Sequence, residues 1–183
     1  SIGFGLSFFL DSLIVSLLVV VSIAVITGIH HTDGLADFAD GLMTRGTKEK
    51  KRKAMKDLST GSAGIVSVVL SIVGVIIALS LTTGYELFQA ILLSEILAKF
   101  SMVLMASIGK SAATGSNSPF MQIMKDKRRL TVAGVITIIP LVVIGGTTGL
   151  ILFGASIGVT LFLIGLSTRS FGGITGDVLG AAN

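Results

Sequence analysis

Almost every ionisable side chain of this 183-residue chain falls in three short stretches, and between them run long segments with scarcely a charge. That separation constrains the fold more than any motif does, because a charge left in hydrocarbon is costly while an apolar run of ~20 residues spans the ~30 Å core of a bilayer. Composition agrees: 51% of residues are hydrophobic and 13% charged, too apolar for a soluble domain of this length. A net charge of +4 is the ordinary consequence of basic loops on one side of a membrane, and does not by itself indicate a nucleic-acid partner. The chain has no cysteine, which excludes disulfides, zinc thiolates and thiol nucleophiles.

We therefore expect an all-α, polytopic transmembrane helix bundle, a single integral membrane domain over 1–183. Spans are expected at about 13–29, 63–83, 87–108, 131–144 and 150–167, with 1–10 as the end of an earlier span interrupted by Asp11-Ser12. Thr83-Gly84-Tyr85-Glu86 and the Gly145 to Gly149 segment read as hairpin turns, and Pro140 as a kink. Strands are disfavoured, since the segments are long and lack period-two alternation. The chain opens on Ser-Ile-Gly with no signal peptide and stops after a Gly-rich motif, so we expect it to continue in both directions.

Counting crossings puts 30–62, 109–130 and 168–183 on one face. The first holds Arg45, Lys48, Lys50, Lys51, Arg52, Lys53 and Lys56, the second Lys110, Lys125, Lys127, Arg128 and Arg129, and the third Arg169. The opposite turns carry no cation, so the shared face is read as cytoplasmic in a cell-membrane protein. Asp33, Asp37, Asp40, Asp57, Asp126, Asp177 and both histidines lie on that same face.

On a helix, Asp33, Asp37 and Asp40 are spaced i, i+4, i+7 and share one side. Close carboxylates raise one another's pKa, and a divalent cation such as Mg²⁺, which takes a few carboxylates together with phosphate oxygens, is their natural occupant. A plain solvated acidic helix is the bland alternative. Leu35, Ala36, Phe38 and Leu42 argue against it by implying partial burial. His31 can serve as a base, a phosphate donor or a ligand, although adjacent His30 and His31 point apart on a helix and suit a zinc site poorly.

The run Lys50 to Lys53 reads first as attraction to anionic lipid. Next to it, Asp57 precedes Ser59-Thr60-Gly61-Ser62, a helix N-terminus able to take a phosphate within reach of Lys56 or Arg52, or simply capped by Ser62. Glu95 and Lys99 lie four apart inside an apolar helix, Lys99 roughly 13 Å from the end near Ile108 at 1.5 Å per residue. Either they line a substrate cavity or they neutralise each other. Arg169 to Gly180, with Thr175, Gly176 and Asp177, offers a cation, a carboxylate and close-approach glycines, and Asn117 sits in a polar turn.

His31-Thr32-Asp33-Gly34-Leu35-Ala36-Asp37, Met55-Lys56-Asp57 with Gly61 and Gly64, and Gly172-Gly173-Ile174-Thr175-Gly176-Asp177-Val178-Leu179-Gly180-Ala181 occur in this order across most of the chain. Together they resemble the signatures of the cobalamin synthase (adenosylcobinamide-GDP ribazoletransferase) family. The resemblance implies a Mg²⁺-dependent membrane enzyme that joins adenosylcobinamide-GDP to α-ribazole or its 5′-phosphate with release of GMP. Lys99 stands where that family is expected to carry an arginine more often.

The matching assignment gives Asp33, Asp37, Asp57 and Asp177 to the metal, and Asp40, Asp57 and His31 to catalysis. It gives Arg52, Lys56, Gly61, Lys99, Asn117, Arg169, Thr175 and Gly176 to ligand binding. Homo-oligomerisation stays open. A CDP-alcohol phosphotransferase is the nearest alternative, but its Asp-x2-Asp-Gly-x2-Ala-Arg spacing is not met. A cation-coupled transporter would put its acids near the midplane rather than at one surface.

Overall fold

The computed structural model describes residues 5, 9–112 and 118–183, and these are helical apart from their turns and one isolated bridge. The helices are α1 (Ser12–Thr27), α2 (His30–Met43), α3 (Lys48–Ala54), α4 (Ser62–Ser80), α5 (Gly84–Ile108), α6 (Ser118–Met124), α7 (Lys127–Phe171) and α8 (Gly176–Ala181). By length and composition α4, α5 and α7 can each cross a bilayer, and α1 with α2 would make a fourth if that bent pair were one broken span.

Lipid acts as the solvent for most of this surface. Along α4, Ile65, Val66, Val69, Leu70, Val73 and Ile77 are all exposed, an apolar stripe that water would not tolerate.

The side chain of Asp11 starts α1 by accepting from Leu13 N at 2.9 Å. The helix stops at Gly28 (φ 69°), and Ile29 follows with φ 65°, a left-handed conformation seldom taken by a β-branched residue. Two left-handed residues in succession turn the chain by 91° into α2. The expected span 13–29 therefore ends short, at Thr27, and the motif helix leaves it almost at right angles.

α5 is the post against which α7 folds. The 45 residues of α7 would run to ~68 Å if straight, but the helix breaks at Gly146 (φ 54°, ψ −133°), within the Gly145 to Gly149 segment expected to turn, while Pro140 stays inside helical backbone. A Cβ on Gly149 would lie only 2.0 Å from the carbonyl oxygen of Leu141, a proximity possible only if the arms fold back on each other. Both arms lean on α5: Gln89 donates to the Ile144 carbonyl at 2.7 Å, Phe100 packs on Phe153 with ring centroids 5.2 Å apart, and the Ser101 and Ser156 hydroxyls lie at 2.9 Å.

The charged segments meet over a core of Phe38, Met55, Met105, Met121, Phe171, Ile174 and Val178. Phe38 of α2 meets Phe171 at the end of α7 edge to face, with centroids 5.8 Å apart. Ile174 N donates to the Lys110 carbonyl at 2.7 Å and Ala112 N to the Ile174 carbonyl at 3.0 Å, stitching the loop after α5 to the loop after α7. Gly173 (φ 154°) sits where a Cβ would come within 2.3 Å of the Lys110 oxygen, so only glycine fits.

Candidate active site

α2 and α8 cross at a pair of glycines. A Cβ on Gly34 would meet the Asp177 carbonyl oxygen at 3.0 Å and the Gly180 Cα at 3.1 Å, so the missing side chains allow the two backbones to touch. This contact brings Asp33 and Asp37, flanking Gly34, to Asp177 in the first turn of α8. Thr175 caps that helix, accepting from Val178 N and donating to Asp177 Oδ2, both at 3.3 Å.

The acids feel one another. The Asp37 carboxyl is pushed up to about 6, first by burial and then by the negative charges of Asp33, Asp177 and Asp40. Asp177 is also raised, chiefly by burial, against the lowering effect of its hydrogen bonds; Asp33 adds to the rise and Lys56 opposes it. Carboxylate oxygens that crowd without adequate compensation from the protein's own cations are a donor set suited to a hard divalent cation. As they stand, no three His, Asp or Glu side chains among the described residues converge as a complete metal cage.

Asp40 is occupied differently from the general base expected of it. Both its oxygens accept backbone hydrogen bonds, from Gly61 N at 2.7 Å and Gly64 N at 2.8 Å, at the start of α4. The anion at that N-terminus is thus a carboxylate of the protein itself, and Gly61 holds it rather than a ligand. A Cβ on either glycine would come within 2.6 Å of an Asp40 oxygen.

Asp57 also departs from its expected place. Fully exposed, it accepts from Ser59 N at 3.1 Å and Ser59 Oγ at 2.7 Å; these bonds hold its pKa below the usual carboxylate value, and it is absent from the charges acting on Asp37 or Asp177.

Two cations of the basic run serve helix C-termini. Lys51 Nζ donates to the Leu42 carbonyl at 2.7 Å, and Arg52 donates to the Phe171 carbonyl at 2.6 Å while facing Glu49 at 3.4 Å. Lys56 stays exposed near Asp177, and Arg169 is exposed in the last turn of α7. Gly176 opens α8 with free space around its Cα. Asn117 lies outside the described residues.

His31 points the other way along α2, into a cavity of about 300 Å³ between α1, α4 and α5. Its pKa is held below the usual imidazole value, first by burial and then by Lys99, so it is neutral near pH 7 and able to accept a proton. Lys99 faces Glu95 at 3.8 Å and donates to the side-chain oxygen of Asn183. Glu95 and Asn183 line that cavity, and Lys99 meets both of them. The Glu95–Lys99 spacing was readable on the helix, whereas the contact between Lys99 and Asn183 joins positions far apart in the sequence and left no local signal.

A family model described as cobalamin-5-phosphate synthase matches residues 1–183. The chain is 38% identical over 170 residues to the adenosylcobinamide-GDP ribazoletransferase of Pyrococcus abyssi, covering 91% of this chain and 70% of that protein. It is 34% identical over 185 residues to the protein of that name from Methanocella arvoryzae, covering 92% and 69%. The Thermococcus gammatolerans protein of the same name is 39% identical over 158 residues, covering 85% and 65%. No solved structure matches the chain.

Proposed function

The chain belongs to the cobalamin-5-phosphate synthase family, and from that premise we propose that it is an adenosylcobinamide-GDP ribazoletransferase. It transfers the adenosylcobinamide phosphate moiety of adenosylcobinamide-GDP to α-ribazole, or to α-ribazole 5′-phosphate, and releases GMP. The reading rests above all on the Gly34–Gly180 crossing, which sets acids from the two ends of the chain side by side. The matches give no support to a CDP-alcohol phosphotransferase or to a transporter.

In the reaction the acceptor hydroxyl of the ribazole attacks the phosphorus that carries cobinamide. The new P–O bond forms as the bond to the GMP phosphate breaks, and the hydroxyl proton goes to a base. His31, neutral and two residues from Asp33, is that base. Asp33, Asp37 and Asp177 are the residues that would hold Mg²⁺. Bound there, the ion would neutralise charge on the diphosphate and the departing GMP. Lys56 adds a positive charge beside Asp177, suited to the same phosphates. Asp40 fixes the start of α4 against α2 and keeps the motif helix in place.

The excess of Lys and Arg on the segments that meet at this site supports a position on the cytoplasmic face of the cell membrane. Purified protein incubated with adenosylcobinamide-GDP, α-ribazole and Mg²⁺ is expected to release GMP, and to stop when Mg²⁺ is chelated. Absence of GMP from folded protein would overturn the assignment.

A further inference from the structure

We propose that the cavity between α1, α4 and α5 is the binding site for the benzimidazole base of the ribazole acceptor; this rests on the transferase reading above. Its walls are apolar, with Val20, Ile23 and Ala24 from α1, Val75 and Leu79 from α4, and Ile91 and Ala98 from α5. Polar side chains line it as well: Thr27 from α1, His31 and Thr32 from α2, Ser94 and Glu95 from α5, and Asn183.

Size decides between the two substrates. At about 300 Å³ the cavity is at the lower limit of small-molecule pockets and far too small for a corrinoid ring. The ribazole base, a flat bicycle bearing two methyl groups, matches both the volume and the apolar lining. Its ribose then lies among His31, Thr32, Glu95 and Asn183, which offer donors and acceptors suited to neutral hydroxyls.

An acyl chain of a lipid is the competing occupant. It has no use for the six hydrogen-bonding side chains among the lining. Position completes the argument, because His31 shares α2 with Asp33 and Asp37. A base seated in the cavity therefore leaves its sugar at His31 and Thr32, the two residues that precede Asp33 in the chain.

The test uses the full chain in lipid nanodiscs and reads binding as well as turnover. With no tryptophan and one tyrosine in the chain, benzimidazole fluorescence can be followed directly as α-ribazole is titrated without the second substrate. Ala24→Phe, and separately Ala98→Leu, should weaken α-ribazole binding and raise its KM at least tenfold, leaving the KM for adenosylcobinamide-GDP within twofold. Wild type should favour α-ribazole over the riboside of unmethylated benzimidazole by about tenfold, the expected effect of two buried methyl groups. Ala24→Phe should abolish that preference.

Ribazole affinity unchanged in both variants, or a parallel rise in both KM values, would overturn the proposal. GMP formation that ignores the filled cavity would remove the pocket and leave the transferase standing. Ribazole binding that is lost on filling, in a wild type that forms no GMP, would remove the transferase and leave the pocket.

Discussion

Asp33, Asp37 and Asp40 sit at helical spacing on a single helix, yet the structure divides their work. Asp40 has both oxygens engaged by backbone N–H groups of Gly61 and Gly64, so it serves architecture. Asp40→Ala should cost about 2–4 kcal/mol, the scale of leaving two donors without a charged acceptor, measured by chemical unfolding in detergent. Asp33→Asn should leave unfolding within about 0.5 kcal/mol of wild type, as expected for an exposed side chain, while GMP release falls about 100-fold or more.

Asp37 gives the pH test. Its folded pKa, about 6, lies above its ordinary value of 3.8, so without a divalent cation the folded protein binds the extra proton between those values. Chelated protein should therefore lose stability as pH rises from about 4 to about 6, and added Mg²⁺ should reverse that loss above pH 6. A flat melting profile across this window would show that the carboxyl is not strained by its neighbours. The acidic pattern was legible because helical period is explicit in sequence. The role of Asp40 was not, because its partners are backbone atoms 21 and 24 residues away, and backbone donors carry no residue signature.

Among the elements, the crossing of α2 and α8 is the joint on which the site depends. Gly34→Ala puts a methyl group 3.0 Å from a backbone oxygen of α8 and 3.1 Å from the Gly180 Cα, and backbone cannot swing aside as a side chain would. We expect Gly34→Ala to lower kcat at least tenfold and Gly34→Val to do so more severely, with the protein still inserted and folded by circular dichroism. Unimpaired turnover in Gly34→Val would mean that the contact is incidental.

The apolar segments 63–83 and 87–108 could be read from sequence because their hydrophobicity is unbroken, and helices α4 and α5 lie there. The 91° turn after α1 could not, since Gly28-Ile29 falls inside an apolar run and Ile29 is a residue that ordinarily avoids positive φ. The break in α7 could be read, because Gly145 to Gly149 interrupts an apolar run with glycines, and it falls at Gly146, whose φ of 54° is open to glycine, in a fold-back that needs no side chain at Gly149; Pro140, where a kink was expected, stays in helical backbone.

At the scale of the whole molecule, the chain is a lipid-facing bundle whose polar chemistry gathers where its charged segments meet. Its lack of cysteine makes the orientation directly measurable, since any introduced thiol is unique. On intact cells a membrane-impermeant maleimide should label Glu86→Cys, in the first turn of α5 at the cation-free end, and should spare Lys53→Cys until the membrane is opened. The reverse pattern would put the site outside the cell. The motifs pointed to this meeting place only through their order and residue types. The cavity beside it went unread, because it is a property of three packed helices and of no one segment.

The central claim is that acids of α2 and α8 act as one phosphate-handling site, and a double-mutant cycle on GMP release under saturating Mg²⁺ tests it most directly. If Asp37 and Asp177 serve the same step, Asp37→Asn and Asp177→Asn should each lower the single-turnover rate by about 100-fold, and the double variant should fall little further. Losses that multiply in the double variant, or an Asp177→Asn protein with the wild-type rate, would contradict the account.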